Sequence, residues 1–427
     1  MKMRFKRGLR SVALAAAALM LGFYASPASA QELLDAVRAG DLAKVKTIIE
    51  RNPKIVNDPN AAGETILFAA IAARQPAMIE YFIAQGADVN VRTNSLMTPL
   101  LAACRRNLPL DSIKLLVERG ADVKAASKYQ GRPLDIAAEN GDETIVRYLM
   151  SQGAAFTPPD FETVKLSANL HRLAFPWGMR NNLIVFNGPD GLIVIDSGFS
   201  KRALEDFKKI VAGFAPGGIK YVINTHSDWD HTAGNAVLAP SEAAVINGGK
   251  LNNADLKSIL SKSSSPLTGR SGRSLPAPYV MKFNGEDIEL IFYPGLHSDV
   301  DQLIYFPKSG IVCMGDLLLS QSCPAIGDAA GYLELLDNVL DVFPAGTTFV
   351  SGHGRDLKTA ELKKYRDDLS AMIGIVKKEY ASGKTAEDMI RADILEEFKS
   401  AYSHLDWLGP DSWIRTVVRN LSSGNLK

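Results

Sequence analysis

Lys220-Tyr221-Val222-Ile223-Asn224-Thr225-His226-Ser227-Asp228-Trp229-Asp230-His231 joins an apolar run to a dense set of imidazoles and carboxylates. Its first five residues read as a strand. In an extended continuation, residues at i, i+2 and i+4 point the same way, so His226, Asp228 and Asp230 are expected to converge. His231, where the chain turns into Thr232-Ala233-Gly234-Asn235, would face a second point nearby. Trp229 and Asn235 are candidates for the pocket wall, Trp229 equally for core.

Moving outward, three more candidates each follow an apolar strand: His297 in Gly295-Leu296-His297-Ser298, Asp316 in Cys313-Met314-Gly315-Asp316, and His353 in Ser351-Gly352-His353-Gly354. Strand ends are where an α/β scaffold sets its ligands. The chain has 6 histidines, and these account for four. The other two, His171 and His404, read as packed side chains. Cys104, Cys313 and Cys323 form no CxxC pair and cannot build a disulfide framework, so a metal site must use His and carboxylates. Cys104 and Cys313 read as small buried hydrophobes. A 313 to 323 disulfide would be permitted in an oxidising compartment.

The surrounding pattern is one of strands and helices. Strands are expected at residues 170–173, 183–186, 192–196, 220–224, 244–246, 280–283, 288–292, 302–306, 310–314 and 348–350. Helices are expected at 201–211, 332–342, 359–379 and 385–399. This interleaving predicts a layered α/β domain. Residues 261–278 show no period and read as a loop.

Upstream, the chain repeats itself. Gln85-Gly86-Ala87-Asp88-Val89-Asn90 returns as Arg119-Gly120-Ala121-Asp122-Val123-Lys124 and again as Gln152-Gly153-Ala154-Ala155, while Thr98-Pro99-Leu100 is echoed by Arg132-Pro133-Leu134. The glycine supplies a left-handed helix end, and Thr-Pro a capped helix start. With a period near 33, this stretch resembles the ankyrin repeat, an all-α array that presents a surface to a protein partner. At Thr157-Pro158-Pro159-Asp160 the helical period stops.

The sequence begins with Lys2, Arg4, Lys6, Arg7 and Arg10, then an apolar run over residues 11–23 and Ala25-Ser26-Pro27-Ala28-Ser29-Ala30. This predicts a signal peptide cut after Ala30 and a periplasmic or secreted protein. The run is shorter than the ~20 residues that span a bilayer. Removing residues 1–30, with five positive charges and no acid, takes the net charge from +1 to −4. No basic field remains for nucleic acid or a membrane surface. A composition of 46% hydrophobic and 22% charged residues excludes a disordered or multi-span membrane chain. The expected organisation is therefore 1–30 signal peptide, 31–156 repeats, 157–164 linker, 165–375 layered α/β domain and 376–427 helical extension.

At its His and Asp residues the sequence resembles the metallo-β-lactamase superfamily over roughly residues 164–375. That resemblance implies an αββα sandwich binding one or two metal ions. It places His226, Asp228 and His297 on a first metal, Asp230, His231 and His353 on a second, and Asp316 as the bridge. It also gives Asp196, in Ile193-Val194-Ile195-Asp196-Ser197-Gly198, a structural role. The family usually has His where this chain has Asp228, and the harder ligand set makes iron or manganese an alternative to zinc.

Two divalent metal ions sharing a water would give a hydroxide that attacks a small-molecule ester, lactone, lactam or thioester, with Asp230 orienting it. The alternatives are an ankyrin-based interaction protein with an inactive hydrolase-like domain, and a metal-dependent phosphodiesterase.

Overall fold

The computed structural model describes residues 28–129, 131–158, 160–175, 179–214, 217–239, 243–247 and 259–426. Residues 1–27 of the expected signal peptide (1–30), and Pro159 of the expected linker, lie outside the described residues. Two compact units succeed one another along the chain, to residue 157 and from residue 158.

Among the described residues the first unit contains four helix pairs: Ala28–Ala39 with Leu42–Arg51, Ile66–Ala72 with Pro76–Ala84, Pro99–Arg105 with Leu110–Glu118, and Pro133–Glu139 with Glu143–Ser151. Leu67, Leu100 and Leu134, at the same place in successive units, are fully buried in one continuous core. The predicted helix ends are present. Thr98 Oγ1 accepts from Leu101 N, and Gly86, Gly120 and Gly153 have φ of 87°, 90° and 80°, a region that L side chains disfavour.

The second unit contains two sheets. One runs in chain order: β1 (Glu162–Lys165), β2 (Leu170–Ala174), β3 (Asn182–Gly188), β4 (Gly191–Ile195), β5 (Ile219–Asn224) and β6 (Ala244–Asn247). The other contains β7 (Leu260–Lys262), β10 (Tyr279–Phe283), β11 (Glu286–Phe292), β12 (Gln302–Phe306), β13 (Ile311–Leu319), β14 (Thr348–His353) and β15 (Leu357–Lys358), ordered β15-β14-β13-β12-β11-β10-β7. The short strands β8 (Leu267–Thr268) and β9 (Ser274–Leu275) form a separate hairpin.

Alternation along the strands sets the layers. Ile184, Phe186, Ile193, Ile195 and Ile223 share a core with Ile288, Leu290, Ile304, Phe306 and Cys313 from the facing sheet. The intervening Val185, Val194 and Val222 pack outward on Leu204 and Phe207 of the helix Lys201–Val211. Val312, Met314 and Phe349 face the helices Ala329–Val342 and Thr359–Ala381. The result is a helix-sheet-sheet-helix sandwich, the layered α/β domain that the interleaved strands and helices predict, in the arrangement that the family resemblance implies.

Three local expectations are corrected, and the pairing of Cys313 with Cys323 that the sequence left open is decided. The predicted helix over 385–399 is two short helices, Ala386–Arg391 and Glu396–Lys399. Asp393, with φ of 52°, lies in the interruption. The loop over 261–278 carries β7's end and the β8–β9 hairpin, which Ser271 latches to Asp341 through its N and Oγ at 2.9 and 2.8 Å. β13 runs on past Met314, so Asp316 lies within a strand and not after one. Finally, Cys313 and Cys323 are free thiols in different cores, one between the sheets and one under the helices.

The terminal residues are built into the outer layer. Trp413, Ile414 and Val417 of the helix Pro410–Ser422 pack with Leu362, Tyr365 and Leu369. Asn420 Oδ1 accepts from Ala329 N at 2.8 Å, holding the start of the helix Ala329–Val342.

Candidate metal centre

The parallel strands β4 and β5 end side by side, and the chain leaving β5 forms the floor of the site. Residues 226–231 do not continue as a strand. Asp228 is extended, with φ −65° and ψ 148°, and caps a single helical turn, Trp229–Thr232. This turn separates the aspartates that extended geometry would have superposed. Asp228 goes with His226, and Asp230 goes with His231.

Two sets of donors result. His226, Asp228 and His297 form one, and Asp230, His231 and His353 the other, each with ligand atoms within 4.8 Å of one another. In the first, Asp228 Oδ2 lies 3.7 Å from His226 Nε2 and 3.2 Å from His297 Nε2. In the second, Asp230 Oδ2 lies 3.7 Å from His231 Nε2 and 3.4 Å from His353 Nε2. Asp316 divides its carboxylate between them. Its Oδ2 is 3.9 Å from His226 Nε2 and 3.8 Å from His297 Nε2, while its Oδ1 is 3.3 Å from both His231 Nε2 and His353 Nε2.

These separations fit a cation. Four ligands at ~2.1 Å in a tetrahedron stand about 3.4 Å apart. Every imidazole also points the right nitrogen inward. His231 Nδ1 meets Asp196 Oδ2 at 2.9 Å, His226 Nδ1 meets Thr225 Oγ1 at 3.0 Å, and His297 and His353 Nδ1 meet the Ala325 and Met179 carbonyls at 2.8 and 3.0 Å. Thr225 Oγ1 gives its own hydrogen to Asp196 Oδ2, so it accepts from His226. With all four Nδ1 hydrogens directed outward, the four Nε2 lone pairs face the cavity. Nε2 of His231 and of His353 are only 3.3 Å apart, an approach that is favourable only with a proton or a cation between them. Nε2 of His226 and Oδ1 of Asp316 are buried without a hydrogen-bond partner.

The electrostatics agree. Burial lowers the affinity of His297 for a proton, but Asp228 and Asp316 outweigh it and leave the imidazole at about 9. His353 reaches about 9 in the same way through Asp316 and Asp230. Burial likewise opposes charge on Asp316, yet His353 and His231 hold it well below the carboxylate range. The site binds positive charge whether or not a metal brings it.

Several supporting residues carried no periodic or motif signal. Asp301 Oδ2 accepts from His297 N at 3.1 Å and Ser298 N at 2.7 Å, fixing the loop that carries His297. Asn182 Nδ2 donates to the Ser351 and Gly354 carbonyls at 2.8 and 2.9 Å, on either side of His353. Asn181 Nδ2 reaches Asp230 O, Asp230 Oδ2 and His231 Nε2 at 3.0, 3.0 and 3.3 Å. Asn235 bonds to Asn224 behind the loop, away from the donors. Trp229 is 61% exposed and meets Phe199 edge-on at 5.2 Å, so it stands at the rim. His171 stacks on Phe214 and lies apart from the donors.

Residues 33–127 and 97–160 match the ankyrin repeat family model, and residues 176–262 match that of the metallo-beta-lactamase superfamily. The second match contains His226, Asp228, Asp230 and His231 but stops before His297, Asp316 and His353. The class is thus composite, a helical repeat array ahead of a mixed α/β sandwich. In family terms, the chain carries ankyrin repeats and then a metallo-beta-lactamase superfamily domain.

The chain is 28% identical over 120 residues to the ankyrin repeat protein YahD of Escherichia coli (strain K12), a span of 28% of this chain and 59% of that protein. It is 29% identical over 128 residues to human ankyrin repeat domain-containing protein 63, covering 29% of this chain and 33% of the relative. With alpha-latrocrustotoxin-Lt1a of Latrodectus tredecimguttatus it shares 35% identity over 102 residues, 23% of this chain and 7% of the toxin. The chain therefore spans less than two thirds of the length of each of these relatives.

Proposed function

We propose that the second unit is a metal-dependent hydrolase acting on a small-molecule ester, lactone, lactam or thioester. The observation that carries this reading is the split carboxylate of Asp316, one oxygen toward each set of three donors. Two divalent cations held there would supply Lewis acidity and lower the pKa of a water from 15.7 toward neutrality.

This chain's own residues do the positioning. Asp230, buried and hydrogen-bonded by Asn181, presents one oxygen to the second set and orients the nucleophilic water. Asp196, Thr225 and the Ala325 and Met179 carbonyls keep the four imidazoles in one tautomer. Entry is from the side of Asp228, whose side chain is 49% exposed, and of Trp229. Three carboxylates among seven ligands suit zinc and also iron or manganese.

The repeat array is proposed to hold a protein partner, and the N-terminal segment to direct export to the periplasm or outside the cell. The hydrolase reading is tested by elemental analysis of the purified mature protein, and then by lactam, lactone, thioester and phosphodiester substrates on the same sample. Metal uptake with hydrolysis that disappears on chelation and in His231→Ala is expected. Turnover that persists in the metal-free protein overturns the reading, and preferred turnover of a phosphodiester reassigns its substrate class.

A further inference from the structure

We infer that Asn181 is a positioning residue that sets the cation affinity of the Asp230, His231 and His353 half of the site. The inference rests on the two-cation reading above and goes beyond it by assigning a role to a residue that is not itself a ligand.

Asn181 is completely buried, immediately before β3, and its backbone bridges to that of His353. Its carboxamide is used on one side only. Oδ1 is buried with no hydrogen-bond partner. A buried amide with an idle oxygen is costly, and a leucine, branched in the same way at Cγ, would carry no such polar penalty. The cost has to be offset by what Nδ2 does.

Nδ2 has two hydrogens and faces three acceptors: Asp230 O and Oδ2, each at 3.0 Å, and His231 Nε2 at 3.3 Å. One acceptor is in excess. A cation that takes the His231 Nε2 lone pair removes that excess, and the two hydrogens then match the two Asp230 oxygens. Asp230 Oδ2 is also the oxygen nearest His353 and His231. A hydrogen bond to one lone pair of Oδ2 leaves another directed at the cation and locks the carboxylate rotamer. Flipping the amide would turn Oδ1 against the Asp230 carboxylate, so the orientation is fixed by charge as well as by hydrogen bonding. The two Nδ2 hydrogens are matched to two acceptors only when a cation takes the His231 Nε2 lone pair.

The test is zinc titration against a competing chelator for the full mature chain and for Asn181→Leu and Asn181→Asp, with cobalt(II) absorption as a second readout. Melting of each metal-free variant checks that it folds. The wild type is expected to bind two equivalents. In the variants, one equivalent should weaken by about 10- to 100-fold with loss of its share of the cobalt spectrum, while the other is unchanged. Two unaltered equivalents in a folded variant overturn this role alone. Equal weakening of both, or failure of both variants to fold, overturns it in favour of a merely structural asparagine. A wild-type chain that takes up no zinc sinks the two-cation reading and this inference with it.

Discussion

Asp196 and His231 are joined by one buried hydrogen bond, Oδ2 to Nδ1 at 2.9 Å, and this bond decides which face of the imidazole looks into the site. The same carboxylate accepts from Thr225 N at 2.7 Å and Thr225 Oγ1 at 2.8 Å. Asp196 thereby sets His231 directly and His226 through the threonine hydroxyl, one imidazole in each half. The two sets of ligands share a support as well as a bridging carboxylate.

Asp196→Asn keeps the volume and removes one acceptor. Its amide hydrogens would face His231 Nδ1 or Thr225 Oγ1, forcing a tautomer change or an unmade bond. Zinc affinity should fall about 10- to 100-fold in both equivalents, and the metal-free protein should lose about 1–3 kcal/mol of stability. Chelator competition and denaturant unfolding measure the two effects. An Asp196→Asn chain that binds metal as the wild type does would show that tautomer control lies elsewhere.

Much of this organisation was legible in the sequence because it is periodic. The helix Lys201–Val211 and the strand Gln302–Phe306 fall where the apolar spacing puts them, and the repeat glycines mark the helix ends. What the sequence concealed is of two kinds. Some of it is local: whether Thr225 to His231 extends or turns depends on the neighbouring Asn224 and on Ser197 and Gln302 holding that backbone, the last two from elsewhere in the chain. The rest is topological. Nothing in an asparagine at residue 181 shows that β3 will lie where its carboxamide meets Asp230 some 49 positions later.

Gly352 makes room for the bridge. A Cβ there would lie 2.2 Å from Asp316 Oδ1 and 2.7 Å from the Gly315 carbonyl carbon, and the backbone contact cannot be relieved by a rotamer. Gly352→Ala should therefore displace the carboxylate, cost about 1–3 kcal/mol by overpacking, and reduce bound metal below two per chain. Gly374→Ala, inside the helix Thr359–Ala381 with nothing within 4 Å, is the control. It should stabilise by up to about 1 kcal/mol and leave metal content unchanged. Equal metal content in both variants would exclude the bridging role.

Metal binding should release protons. In the metal-free site His297 and His353 each hold a proton up to about pH 9, and a cation needs the lone pair that proton occupies. The metal-free state binds more protons than the loaded one. Affinity therefore falls as pH drops below about 9, roughly tenfold per pH unit for each proton displaced, and levels off above it. Calorimetry at pH 7 in two buffers of different ionisation enthalpy should report at least one proton per cation. Release of none would mean that the imidazoles are neutral before the metal arrives.

The repeat array makes an independent prediction about cooperativity. Asn57 Nδ2 donates to Gly86 O and its Oδ1 accepts from Asp88 N, both at 2.8 Å, and Asn90 does the same with Gly120 O and Asp122 N at 2.8 Å. Each asparagine fastens its own turn to the next unit's helix end. The third place in this ladder is Lys124, which has no carboxamide to bridge to the last unit. Removing two bonds by Asn90→Ala should cost about 1–3 kcal/mol, and Lys124→Asn should add a similar amount by extending the ladder. In a stack held by nearest-neighbour contacts, Asn57→Ala and Asn90→Ala act on different junctions, so their effects should add to within about 0.5 kcal/mol. Chemical unfolding of the full chain, monitored by helical circular dichroism, reads each change. If Lys124→Asn left the array's transition where it was, the third junction would be held by packing alone and the ladder would matter only where the two asparagines already stand.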